Sequence, residues 1–371
     1  MQASDLGSSF LLDRTSLGQN RAQASAPFLR DMNPRVTITA DPRSLDAIPS
    51  LDAIVSIYDL VIATDLGYTA LLAVSGSARR CGKPFYAAAS VGSFGWAFAD
   101  LLEHDFTVER TVSNVASTAG RRESPTRIIL ATKLEQGAGS SNGSSSTAPA
   151  KETVTKREVY SPFAAAAFAP LPASEATPRR KLRVSPLLSC VRALWFYQST
   201  RSPLQPYPRI LSHNVTAPAT NGTTTTADGH PLMQNIHPGN PDCELFLHLA
   251  QQHHASLGLP AHTLTTDKVA DFLNCCGTEL APVCAVVGGH VAQDAINMLG
   301  GKEQPLQNLF VFDADDTVGQ VLAMHPAEGP VGTRLELGGQ VRGHQRGESG
   351  GSRGNGRVVV KMEVKRESED R

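Results

Sequence analysis

The sequence predicts an α/β fold of the doubly wound type, with a mostly parallel sheet. Residues 58–64 (YDLVIAT) form a short apolar run, as expected of a strand covered on both faces. Residues 67–80 then carry a helical pattern that Gly82 can stop, and residues 84–88 (PFYAA) supply the next strand. A strand, helix and strand in that order argue for an open sheet with right-handed crossovers.

The flanking segments extend this pattern. Residues 17–33 are helix-like, with Ala22, Ala26 and Leu29 at helical spacing, Pro27 as a bend and Pro34 beyond the end. Residues 36–39 alternate like a strand. From residue 126 to 240 the composition loosens. GAGSSNGSSSTAPA (137–150) and the threonine run at 223–226 read as linker, with a short helix between them at 184–198. Order returns with a helix at 244–257 and a second one capped by Thr265 or Thr266 and ended by Gly277. A third is opened by Pro282, and residues 309–313 (LFVFD) form a strand. The chain thus divides into a first part of the fold (1–125), a largely disordered insertion (126–240), a second part (241–326) and a disordered tail (327–371).

Composition narrows the function. The 371 residues are 41% hydrophobic, and 34 Lys and Arg nearly balance 35 Asp and Glu. No net field points to nucleic acid or to a membrane surface. The six cysteines lack a disulfide rhythm, which suits reduced thiols in cytosol or nucleus. No C-x-x-C occurs. Cys275-Cys276 could be a nucleophile or, with no basic partner in view, inert core. His104, His253 and His254 are not at metal-ligand spacing, and His104 reads as a structural hydrogen-bonding residue.

Four blocks in fixed order carry more information. They are DLGSSFLLDRTSLGQNRAQA (5–24), YDLVIATD (58–65), KPFYAAASVGSFGWAFADLLEHDF (83–106) and TELAPVCAVVGGHVAQDAINMLGGKEQPLQNLFVFDADD (278–316). Together they resemble the ThiF-type adenylation fold of ubiquitin-like-protein activating enzymes. Within that group the resemblance is closest to the small, non-catalytic subunits of SUMO-activating heterodimers.

The resemblance implies a chain that pairs with a large subunit bearing the catalytic cysteine and supports ATP-dependent adenylation and thioester activation of SUMO. SUMO and the SUMO-conjugating enzyme would be further partners, with ATP and Mg at the large subunit's site and none bound here. It also implies a nuclear and cytoplasmic location. The expected contact regions are the 281–295 helix, with Pro282, Val283, Val286, Gly288, Gly289 and Gln293, and the turn and strand at 92–104. Gly288 and Gly289 each cost about 1 kcal/mol in a helix, so close approach of the sheet or another helix is expected to offset them.

Departures from the family pattern concern the nucleotide site. No G-x-G-x-x-G precedes the first block, so the first strand, glycine loop and helix are expected to be missing. Arg21 and Asp65 are the matched remnants. Asp65 could face a phosphate-bound magnesium or cap the following helix. Rival readings are a regulatory subunit for another ubiquitin-like modifier, a self-sufficient ThiF-type adenylyltransferase and a nicotinamide-dependent dehydrogenase. The last two would need the glycine loop.

Two motifs stand apart. The cluster Pro178-Arg179-Arg180-Lys181-Leu182-Arg183 reads as a nuclear-import signal or a solvated charge run. Lys361 and Lys365 each sit in an apolar-Lys-x-Glu sequence resembling a SUMO acceptor, or belong to a plain charged tail.

Overall fold

A computed structural model describes residues 5–112, 117–135, 150–200, 241–327 and Gly329. The chain begins with α1 (Asp5–Ser8), α2 (Arg21–Met32), α3 (Leu51–Val55), β1 (Val61–Thr64), α4 (Tyr68–Arg80), β2 (Phe85–Val91) and β3 (Phe94–Asp100). Next come β4 (Glu103–Thr111), β5 (Arg122–Ser124), β6 (Arg127–Glu135), β7 (Lys151–Val159), α5 (Phe163–Ala166), α6 (Pro178–Lys181) and α7 (Leu187–Thr200). It continues with α8 (Pro241–Ser256), α9 (Thr266–Cys275), α10 (Ala281–Gly300), β8 (Leu309–Asp313) and β9 (Val318–Leu322). Residues 36–39, expected as a strand, lie outside these elements.

The main sheet has the order β1-β2-β3-β8-β9 and is mixed. Only β1–β2 is parallel; the other three pairings are antiparallel. The reason is the connection at Gly92-Ser93, two residues long, which can only reverse the chain. Gly92 has φ +54°, and a Cβ there would fall 2.5 Å from Cys275 Cβ. Only glycine fits this turn.

Alternation along the central strands builds two cores. Phe94, Trp96 and Phe98 of β3 point to one face with Phe85 and Val91 of β2, where α4, α5, α7, α8 and α9 cover them. Trp195 of α7 meets Trp96 and Phe163 edge-on, each with centroids 5.1 Å apart. The opposite face presents Tyr86, Ala88, Ala97 and Ala99, and α10 lies across it.

The residues from 126 onward correct an expectation. Segments 127–135 and 151–159 are strands of a second, antiparallel sheet in the order β4-β7-β6-β5, and α7 is a core helix with ten buried residues. Linker-like composition concealed this, because the inward face of β7 carries Glu152, Lys156 and Glu158. Their charges are satisfied across the sheet by Arg110, Glu123 and Arg127. The rest of the expected insertion (136–149 and 201–240) and almost all of the tail lie outside the described residues.

Candidate partner interface and nucleotide-site remnants

Helix α10 has a narrow inward stripe. Val283, Val287, Val291, Asp294, Ala295 and Met298 are buried at spacings of three and four, which keeps them on one face. The sheet beneath is paved with small residues, so the helix sits close. A Cβ on Gly95 would lie 2.6 Å from Val287 Cγ2 and 3.2 Å from Val283 Cγ1. The helix ends where Gly301 takes the left-handed conformation and returns its N–H to Asn297 and Met298.

One polar anchor crosses this apolar seam. Tyr86 Oη donates to Asp294 Oδ2 at 2.6 Å, and the Leu306 amide donates to Asp294 Oδ1 at 2.7 Å. Burial raises the Asp294 carboxyl above the ordinary carboxylate range, opposed by those two bonds. The side chain thereby ties α10 to β2 and to the loop that leads into β8.

The outward face of α10 is also apolar. Ile296 is 65% exposed and Leu299 66%, with Val286, Pro282, Gly288 and Gly289 exposed as well. Gln293 projects outward and donates to Asn297 Oδ1 at 3.0 Å. Among the described residues, nothing lies within 4 Å of the place a Cβ would take on Gly288 or Gly289. Among the described residues, the close approach expected at those two glycines is made instead at the strand residue Gly95. Beside the helix, Val321 of β9 is 51% exposed and pairs with Phe310, whose ring is 4.6 Å from that of His290.

The other expected contact region is interior. All seven residues of β3 are buried, since helices cover the sheet centre on both sides. His104, expected to be a structural hydrogen-bonding residue, stacks on Phe106 with centroids 6.4 Å apart, and among the described residues its buried Nε2 has no hydrogen-bond partner. His254 takes such a role instead, joining Ser189 Oγ at 2.9 Å and Thr263 Oγ1 at 2.9 Å.

The nucleotide remnants lie on separate elements. Arg21 opens α2, where Asn20 caps the first amides, and its guanidinium pairs with Asp5. Asp65 follows β1 with φ +51° and gives its N–H to Ala88 O at 2.9 Å. It does not cap α4. The capping position is Gly67, and the Tyr68 amide donates to Gln198 Oε1 of α7 at 3.1 Å. Gln198 went unnoticed in the sequence because its partner lies 130 residues away. Burial pushes the Cys190 thiol up to about 12 and raises Cys243 and Cys284. Lys361 and Lys365 are outside the described residues.

The family pattern described as ThiF matches residues 1–329. This chain belongs to the ThiF family. Among its ThiF-family relatives, SUMO-activating enzyme subunit 1 of Rattus norvegicus is 27% identical over 326 residues, 87% of this chain and 78% of the relative. The subunit of the same name from Homo sapiens is 26% identical, with the same shares covered. DNA damage tolerance protein RHC31 of Saccharomyces cerevisiae is 26% identical over 309 residues, 83% of this chain and 76% of that protein.

Proposed function

We propose that this chain is the non-catalytic subunit of a SUMO-activating heterodimer, bracing a large subunit that adenylates SUMO and carries it as a thioester. The observation that carries this reading is the exposed apolar face of α10 beside Val321, on the side of the sheet that α10 crosses. Exposed Ile, Leu and Val at helical spacing, interrupted by two glycines that leave room for a close neighbour, suit a packed protein contact. The names of the relatives supply the modifier.

ATP and Mg serve adenylation in this family, and we place them on the large subunit. The residues of this chain fit them poorly. Arg21 is engaged by Asp5, and the first amide of α4 is taken by Gln198. The import reading of the basic cluster stays a proposal; four of its residues form α6, where Arg180 also bonds Ser174 O.

The test is binding. Ile296→Lys with Leu299→Lys should weaken capture of the large SUMO-activating subunit. Burying the exposed two-thirds of each side chain contributes about 1–2 kcal/mol, or roughly a five- to thirtyfold change in Kd per residue. Capture of the large subunit for a different modifier, and not the SUMO one, would replace this reading with the rival regulatory subunit. Unchanged Kd in the double variant would remove α10 from the interface.

A further inference from the structure

Arg192 lies on α7 and is only 1% exposed, among the largest fully buried side chains. Its Nη2 donates to Ala169 O at 2.5 Å, but its Nε has no acceptor. Among the described residues no carboxylate bonds it, and burial alone pulls its pKa down to about 10. A buried guanidinium without a counter-charge is costly, and proteins ordinarily pair or hydrogen-bond it.

The neighbourhood shares this deficit. Five buried side-chain nitrogens lack a partner among the described residues, and three of them are Arg192 Nε, Trp195 Nε1 and His253 Nε2. All three residues meet the same turn. Arg192 bonds Ala169, while Phe168 contacts the rings of Trp195 at 6.4 Å and His253 at 5.3 Å. Arg192 and Trp195 are three apart on one helix and so share a side of it. Three buried side-chain nitrogens without partners, on residues that meet one turn, suit an oxygen-rich ligand.

We infer that Arg192, beneath the turn at 167–169, forms a binding site for an oxyanion, either a carboxylate or a phosphate. Phe168 and Phe196 are 37% and 40% exposed, and both rings rest on that of His253, at 5.3 and 5.8 Å, which puts the surface next to this cluster. A carboxylate or phosphate accepts from the guanidinium fork and supplies the missing counter-charge.

Thermal unfolding of the full chain tests this, in chloride, acetate and phosphate at matched ionic strength. With acetate or phosphate at ten times Kd, the wild type should gain roughly 3 °C over chloride. Arg192→Met should gain nothing and, in chloride, should unfold at the same temperature as wild type or higher. The anion giving the larger shift identifies the oxyanion class. Equal shifts in wild type and Arg192→Met would overturn the site. Should the methionine variant fail to fold, calorimetric titration of phosphate and acetate into wild type and Arg192→Lys decides. At least tenfold weaker binding by lysine supports the site, and no binding by the wild type or equal binding by both overturns it.

Discussion

Adding a single methyl group at Gly95 should dislodge α10. An alanine Cβ there stands 2.6 Å from Val287 Cγ2, and ordinary contact begins at 3.4 Å, so helix or strand must give by about 0.8 Å. The seam has no slack, because Val283 Cγ1 lies 3.2 Å away on the same side and Ala89 O lies 3.5 Å away. Overpacking of this kind costs about 1–3 kcal/mol, which for a chain of this size lowers Tm by roughly 2–10 °C. Thermal unfolding of Gly95→Ala, Val287→Ala and the double variant provides the assay. Val287→Ala alone destabilises by roughly 1–3 kcal/mol through lost burial and a cavity. In the double variant the new methyl occupies space the valine vacated, so the two effects should fall short of their sum by about 0.5–3 kcal/mol. Strict additivity would refute the account of how α10 seats on the sheet.

Three further outcomes are expected. Asp294→Ala leaves the Tyr86 hydroxyl and Leu306 amide without their acceptor, so urea unfolding should show a loss of about 2–5 kcal/mol; Tyr86→Phe should lose less, and a cycle between the two should reveal coupling. Burial, and secondarily Arg192, lowers His253 from 6.5 to about 4. The unfolded chain therefore takes up a proton that the native state refuses as pH falls from 6.5 toward 4. Stability should decline across that window, and the decline should be shallower in His253→Phe, which keeps the ring contact with Phe168. Finally, Lys361 and Lys365 should accept SUMO in a reconstituted reaction, and conjugate yield unchanged after both become arginine would discard that reading.

Local pattern determined a good deal. The run at 58–64 became β1, the helix at 67–80 became α4, Thr265 caps α9 by accepting from the Lys268 amide, and α10 spans the stretch opened by Pro282. These features depend on neighbours within a turn or two, where periodicity and capping chemistry act. Of the α10 residues the motif singles out, Pro282, Val286, Gly288, Gly289 and Gln293 are exposed but Val283 is core, and the exposed Ile296 and Leu299 were not singled out. Charge pairing was not legible. The buried Glu152, Lys156 and Glu158 look like solvated polar residues until the sheet brings Arg110, Glu123 and Arg127 against them, and so β6 and β7 were mistaken for loose chain.

Glycine shows the same division most clearly. The sequence marks Gly288 and Gly289 as anomalies, since glycine is unfavourable inside a helix, and gives no hint that Gly95 matters in a strand. Only the fold reveals that Gly95 faces Val287, while the helical pair opens outward. The sequence alone determined the helices, the central strands and the family motif, because those follow from local spacing and residue type. The tertiary structure decided which face of α10 is core, which buried charges are paired, and that Gln198 meets the first amide of α4. Those outcomes depend on groups far apart in the chain that meet only after it closes on itself.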